Sequence, residues 1–222
     1  MRWTRCIGLS HVSVGPTILA IDTTGENGSL ALADASGVIE EIALHSPDGY
    51  GHILFGAIDG LLSRHQVTLH QLSAIAVASG PGTFTGVRFG VTAAKGLAEA
   101  AGLRVVTVSN LAAMASFGSA PLRAVAIDAR RGEVYSAVYD AALSPVMEER
   151  VVLLATWLAT LPVSEVERIG DIAGSTALPT PKALAGAIAL IGLDRLLTAR
   201  DPVEVDANYV RRTNAELSLK EA

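Results

Sequence analysis

A loop near the start of the sequence combines an acid, hydroxyls and glycines directly after an apolar run. The apolar residues 18–21 end at Asp22, and residues 23–29 read Thr-Thr-Gly-Glu-Asn-Gly-Ser. Such a turn offers backbone N–H groups to a phosphate while Asp22 orients a metal-bound water. Because Asn-Gly is a favoured turn pair in its own right, a plain β-hairpin is the alternative.

A second glycine-rich loop, residues 80–88, reads Gly-Pro-Gly-Thr-Phe-Thr-Gly-Val-Arg between an apolar run and a predicted helix. Glycines let a backbone approach a ligand closely, and a helix N-terminus attracts anions. The loop has neither the ending of a P-loop nor the spacing of a dinucleotide fingerprint, so a structural strand-to-helix turn is the alternative. The candidate phosphate-loop residues are Asp22, Thr23, Thr24, Gly25, Gly80, Gly82, Thr83, Thr85 and Arg88.

Small residues recur every four positions along the helix that follows this loop, which places them in one narrow stripe. A similar set occurs in the preceding predicted helix. Another helix backbone can approach such a stripe closely, so we predict a partner or homodimer interface, whereas packing on the protein's own sheet is the alternative. The predicted interface residues are Ile53, Gly56, Ala57, Gly60, Gly86, Gly90, Ala94 and Ala98.

Familiar catalytic and metal-binding patterns are missing from the sequence. It has no G-x-S-x-G or H-E-x-x-H motif, its five histidines contain no i, i+4 pair, and Cys6 is its single cysteine. We therefore predict no catalytic residue and no metal site within this chain.

The elements that would position these loops form an internal repeat. The segment Ala-Ile-Asp at residues 20–22 recurs at 126–128, and in both copies a polar turn and a β-rich run follow. Between the copies, 51–64 and 86–101 read as helices and 74–79 and 104–108 as strands. After residue 140 the pattern weakens, and 156–161 and 183–197 read as helical. Two related α/β lobes follow from this organisation.

Composition and charge restrict the function classes. The chain has 222 residues, half of them hydrophobic, and a formal net charge of −5. No apolar run approaches the roughly 20 residues of a spanning helix, and the first residues do not match a signal peptide, so we expect a cytoplasmic protein without a membrane segment. The acidic charge disfavours unaided binding to a nucleic-acid backbone.

Four segments together resemble the bacterial TsaB (YeaZ) family of Gcp-like, or glycoprotease-like, proteins: residues 18–23, the loop 80–88, the run Ile-Asp-Ala-Arg-Arg-Gly-Glu-Val-Tyr at 127–135, and Tyr-Val-Arg-Arg at 209–212. The resemblance implies the actin-like ATPase (ASKHA, ribonuclease H-like) fold, with two lobes that each hold a mixed sheet flanked by helices. We assign residues 1–17 to an N-terminal extension, 18–114 plus 203–222 to the N-terminal lobe, and 115–202 to a C-terminal lobe that is compressed relative to the family.

The resemblance also implies a function. TsaB is similar to its catalytic paralogue TsaD, whose metal is held by a His-x-x-x-His pair, and in this sequence Asn110 and Met114 stand at the corresponding positions. An amide and a thioether make a poor site for a hard or borderline divalent ion. The expectation is a non-catalytic subunit that pairs with a TsaD-like catalytic subunit, with a TsaE-like ATPase, for threonylcarbamoyl transfer to the adenosine beside the tRNA anticodon.

Under this hypothesis tRNA is bound only through the complex, and no cofactor is bound tightly. A nucleotide, ATP or ADP, would bind only at a partner interface. The alternative is an actin-fold ATPase or phosphotransferase that uses Asp22 and the two glycine-rich loops. A glycoprotease-like metallopeptidase is the third hypothesis, and the missing histidines disfavour it most.

Overall fold

The computed structural model describes residues 15–161, 166–170, 178–208 and 210. Within them the chain forms nine β-strands and five α-helices in two sheets. Most of the predicted N-terminal extension lies outside the described residues, and so do Cys6, Tyr209 and the pair Arg211 and Arg212. No helix in the described part is long and apolar enough to cross a membrane.

The first sheet begins with an antiparallel meander and continues with two parallel strands. Its elements are β1 (Ile18–Asp22), β2 (Asn27–Asp34), β3 (Gly37–His45), α1 (Leu54–Arg64), β4 (Ala74–Gly80), α2 (Phe84–Ala101) and β5 (Arg104–Ser109). The strand order is β3-β2-β1-β4-β5. Gly102 ends α2 in the left-handed conformation, with a φ of 66°, which suits a residue that lacks a Cβ.

The second sheet repeats the beginning of the first. Its elements are α3 (Asn110–Ala115), which enters the lobe, β6 (Leu122–Arg130), β7 (Glu133–Asp140), β8 (Pro145–Leu153), α4 (Leu154–Thr160), β9 (Val166–Ile169) and α5 (Ala185–Asp194). The strand order β8-β7-β6-β9 corresponds to β3-β2-β1-β4, and β6 is antiparallel to β7 and parallel to β9. The predicted duplication of the hairpin is therefore present in the fold.

The two hairpins differ in pairing, although their sequences align without a gap. Ala20 pairs with Ala31 in the first hairpin, whereas the equivalent Ala126 pairs with Ser136, one residue before the equivalent position. A bulge between Asp128 and Arg130 accounts for the shift, because an extra residue in one strand moves its register by one.

Three apolar cores separate the layers. One lies between the first sheet and the helices α1 and α2, and another lies between the second sheet and α4. The third joins the inner faces of both sheets around α3 and α5. The carboxyl ends of β1, β4 and β5 lie beside the start of α3, because Asn110 bonds to Gly80 and Thr24 and directly follows β5.

Helix α5 packs on the first sheet, against β1 and β2 above all, although the predicted boundary placed residues 115–202 in the second lobe. Its first N–H groups are capped by side chains of the first sheet. Ser29 Oγ accepts from Ala185 N at 2.9 Å, and Glu41 Oε1 accepts from Gly186 N at 2.8 Å. Orphan donors at a helix start need such partners, so these two contacts attach α5 to the first lobe.

Candidate functional site

The two glycine-rich loops of the sequence lie against each other. Thr83 N donates to Thr24 O at 2.7 Å, and Thr23 Oγ1 donates to Gly86 O at 2.8 Å. Thr83 also caps α2, because its Oγ1 accepts from Gly86 N at 3.2 Å. The Thr83 N–H group, a candidate phosphate donor, is thus already paired within the protein.

The glycines of the second loop allow this close packing. A Cβ on Gly82 would overlap Thr24, and a Cβ on Gly86 would overlap the carbonyl oxygen of Thr23. The space next to these glycines is filled by the first loop. This arrangement leaves no room for a ligand between Gly82 and Thr24, and the phosphate-loop assignment of the other residues stays a prediction.

Four of the phosphate-loop candidates, Thr23, Gly25, Thr83 and Thr85, line one open cleft, whereas Arg88 does not. Thr85 and Arg88 are exposed on α2, and the Arg88 guanidinium lies 4.0 Å from the centre of the Phe84 ring. That distance is typical of a cation–π contact. A Cβ at Gly25 would meet only backbone atoms of Asn27, the nearest at 3.6 Å, so there is open space next to this glycine.

Asp22 lies at the centre of a buried hydrogen-bond network. Its Oδ1 accepts from Thr24 N at 2.9 Å and from Thr24 Oγ1 at 2.7 Å. Asn110 Nδ2 donates to Thr24 Oγ1 at 2.9 Å, and Asn110 Oδ1 accepts from Gly80 N at 3.1 Å. This network ties together the ends of β1 and β4 and the first residue of α3.

The electrostatics of the network oppose a role for Asp22 as an exposed metal-water ligand. Burial raises the pKa of the Asp22 carboxyl, and the hydrogen bonds from Thr24 and Asn110 only partly oppose that effect. The carboxyl is 2 % exposed, so solvent and a solvated ion have little access to it. Asp22 organises the loop rather than presenting a charge to a ligand.

The two positions predicted to have lost metal ligands are both buried. Asn110 is a structural hydrogen-bonding residue, as its two contacts show, and Met114 packs in the apolar core between the sheets. No cluster of three or more His, Cys, Asp or Glu residues that could hold a metal occurs in the ranges that the structure describes.

Comparison with known proteins shows the family of this chain. Residues 35–199 match the family model described as TsaD: tRNA N6-adenosine threonylcarbamoyltransferase. The chain belongs to this family.

Relatives within the TsaD family carry the TsaB name, which confirms the resemblance stated from the sequence. The chain is 37% identical over 150 residues to the tRNA threonylcarbamoyladenosine biosynthesis protein TsaB of Bacillus subtilis, covering 65% of this chain and 66% of the relative. It is 39% identical over 127 residues to TsaB of Escherichia coli, covering 55% and 54%. The chain thus spans about half to two thirds of the length of these relatives.

The family fold also agrees with a solved structure. YeaZ from Pseudomonas aeruginosa superposes with a TM-score of 0.74 at 25% identity, over 87% of this chain and 99% of that one. The two-lobed actin-like fold predicted for a TsaD-family member is confirmed.

In this family member the small-residue stripe of α2 faces inward. Gly90, Ala94 and Ala98 are buried, and a Cβ on Gly90 would overlap Thr23 Oγ1. The prediction of a partner surface was wrong for these residues, because the small side chains let α2 lie close to its own sheet. On α1 the opposite holds, since Gly56 is exposed with nothing within 4 Å of its Cβ position.

An open cleft of about 710 Å³ lies beside the two loops, between the starts of α1 and α2. Tyr50 closes one side of it and donates its hydroxyl hydrogen to Gly25 O at 2.8 Å and Glu26 O at 3.0 Å. Burial raises the pKa of Tyr50 to about 12, so the hydroxyl stays a donor at neutral pH. Sequence reasoning missed Tyr50, because nothing in its local pattern indicates a contact with a loop 25 residues earlier.

Proposed function

We propose that this chain is a TsaB-type partner subunit in the biosynthesis of threonylcarbamoyladenosine on tRNA. The observation that carries the proposal is the hydrogen-bonded network of Asp22, Thr24 and Asn110, found in a chain whose relatives are named TsaB. In this proposal a TsaD-like subunit performs the transfer, and a TsaE-like ATPase takes part.

The hydrogen-bonded groups at the strand ends support a non-catalytic role. A catalytic crevice needs polar groups that converge on open space at the carboxyl ends of the strands. Here Asp22 accepts from Thr24, Gly80 N donates to Asn110, and the first loop covers Gly82. This arrangement disfavours the ATPase or phosphotransferase hypothesis, because that hypothesis uses Asp22, which is buried and hydrogen-bonded to Thr24.

The partner surface that we propose is the outer face of α1 and the start of α2. Phe55 is 50% exposed and Phe84 53%, and Gly56 next to Phe55 leaves the α1 backbone accessible. Half-exposed aromatic side chains are enriched in the anchoring positions of interfaces. Ile53, Ala57 and Gly60 border this surface as half-buried residues, and the buried part of the α2 stripe is not included.

The cleft of about 710 Å³ adjoins this surface, because Phe89 of α2 and His52 before α1 line it. In our proposal a partner docked on α1 and α2 covers the cleft mouth, and a nucleotide would be held only there. The tRNA would contact the TsaD-like subunit, since the chain carries a formal net charge of −5.

Association with the partner tests the proposed surface. The chain and a TsaD-like subunit from the same organism are mixed and run on a sizing column, with Phe55→Ser and Phe84→Ser as the interface variants. Leu197→Ser is the matched control, because Leu197 is fully exposed after α5 and lies outside the surface. We expect both phenylalanine variants to weaken association about 10-fold or more. A complex that forms equally well with all three variants would place the partner elsewhere.

A further inference from the structure

A second cavity of about 330 Å³ lies between the two lobes, away from the glycine-rich loops. Ser109 at the end of β5 lines it from the first lobe, and Tyr139 and Glu149 line it from the second. Arg195 after α5 and Asn208 complete the polar lining. Its volume lies at the small end of the range for ligand pockets.

The carboxylate of Glu149 is held in place by two neutral donors. Tyr139 Oη donates to Glu149 Oε1 at 2.6 Å, and Asn208 Nδ2 donates to Glu149 Oε2 at 2.7 Å. Burial, and then the Glu149 charge, raise the pKa of Tyr139, so its hydroxyl remains a donor. The Glu149 carboxyl group is therefore held in one orientation at the cavity wall.

The guanidinium of Arg195 is held separately. Its Nη2 donates to Leu143 O at 3.1 Å. The ion pairs found among the described residues join Glu40 to Arg64 and His65, and Asp128 to Arg130, so none joins Arg195 to a glutamate. Arginine stays charged at all relevant pH values. The cavity thus keeps a positive and a negative side chain apart, although opposite charges in a shared half-buried space ordinarily pair.

A third charged side chain lines the cavity. Glu148 lines the same cavity and is exposed, and no ion pair of its carboxylate occurs in the part of the chain that the structure describes. The three side chains sum to one net negative charge, which disfavours a simple anion. A ligand that carries both charges would satisfy the Arg195 and Glu149 sides together.

We propose that this cavity binds a small amino acid in its zwitterionic form. The ligand carboxylate would bind Arg195, and its ammonium group would bind Glu149 with Glu148. Charge-assisted hydrogen bonds of this kind are stronger than neutral ones, and the anchors on Glu149 and Arg195 reduce the cost of ordering them.

Binding there would also join the lobes. Asn208 N donates to Ser79 O at the end of β4 at 2.8 Å, while the Asn208 side chain bonds Glu149 of the second lobe. A ligand held by Arg195 and Glu149 would reinforce this bridge. Binding should therefore raise the melting temperature of the full chain as the ligand concentration rises above its dissociation constant.

Calorimetry and thermal melts of the full chain test the proposal. Glycine, alanine, serine and threonine are the probes, with methylamine and acetate as ligands that carry one charge each. We expect saturable binding of at least one amino acid, and binding about 10-fold or more weaker for methylamine and acetate, because each lacks one charged contact. No saturable binding of the four amino acids, or acetate binding as tightly as they do, would overturn the proposal.

Variants assign the site within the chain. Arg195→Gln and Glu149→Gln should each weaken amino-acid binding about 10-fold or more. Arg150→Gln is the matched control, because Arg150 follows Glu149 on β8 and its Nη2 instead lies 3.4 Å from Thr160 Oγ1 of α4. Equal amino-acid affinity of Arg195→Gln and Arg150→Gln would refute the assignment. If circular dichroism shows that Arg195→Gln does not fold, the ligand series on the unmutated chain decides the proposal.

Discussion

Replacement of Asn110 by alanine tests whether the network at the strand ends is a structural element. The substitution removes the acceptor of Gly80 N and the donor to Thr24 Oγ1, and both contacts are buried. A buried N–H group left without a partner costs about 1–3 kcal/mol, and the lost bond to Thr24 adds about 1 kcal/mol. We therefore expect the free energy of unfolding to fall by about 2–4 kcal/mol, which is a large part of the stability of a typical domain.

Urea unfolding followed by circular dichroism measures this change. Asn27→Ala is the matched control, because Asn27 makes an exposed side-chain contact, with His45 at 3.1 Å, and its loss should cost under about 0.5 kcal/mol. Asn110→Asp provides a second variant, since it keeps an acceptor for Gly80 but adds a carboxylate near the buried Asp22. Because two ionised carboxylates would repel each other, this variant should be less stable at neutral pH than at acidic pH. Equal stability of Asn110→Ala and Asn27→Ala would refute the structural role of the network.

Further outcomes follow from burial and from the glycine positions. The pKa of Asp22 is raised above its ordinary 3.8, so folding favours the protonated form, and the free energy of unfolding should fall as pH rises from below 3.8 through the folded-state pKa. In urea titrations at several pH values Asp22→Asn should lack this decline, and parallel pH profiles of the variant and the unmutated chain would contradict the prediction. Gly90→Ala should destabilise the chain by about 1–3 kcal/mol because its Cβ overlaps Thr23, whereas Gly56→Ala should stabilise α1 by up to about 1 kcal/mol. Thermal melts in which Gly90→Ala is the more stable variant would show that the small-residue stripe of α2 does not face the sheet. Ser136 Oγ is buried without a partner among the described residues, so Ser136→Ala should raise stability by about 1 kcal/mol in the same melts, and a loss of stability would reveal a bound water or another partner.

Local patterns predicted the parts of the fold that depend on neighbouring residues. The duplicated hairpin, α1, α2 and the strands between them follow from apolar periodicity and from turn residues such as Gly102. The sequence did not indicate α3, whose six residues are too few for a helical period, or β8, a sheet-edge strand in which charged residues interrupt the apolar ones. Helix α5 is apolar on nearly every side, so its own sequence does not tell which sheet it contacts.

The sequence indicated which residues belong to the candidate site, but not how they contact one another. Asp22, Thr24 and Asn110 were each singled out from the sequence, but their mutual hydrogen bonds join positions up to 86 residues apart. The direction of the α2 stripe was ambiguous for a related reason. Small residues allow any backbone to approach, and only the tertiary structure shows that Gly90 faces Thr23 rather than a partner.

The proposed role of this chain is to support a modification reaction that a TsaD-like subunit performs. The most direct measurement is mass spectrometry of the nucleosides of tRNA incubated with the threonylcarbamoyl donor, the TsaD-like and TsaE-like subunits and this chain, with one protein omitted at a time. We expect threonylcarbamoyladenosine to form in the tRNA only when this chain and the TsaD-like subunit are both present, and none to form with this chain alone. Formation of the modified nucleoside by this chain without the TsaD-like subunit, or an undiminished yield when this chain is omitted, would contradict it.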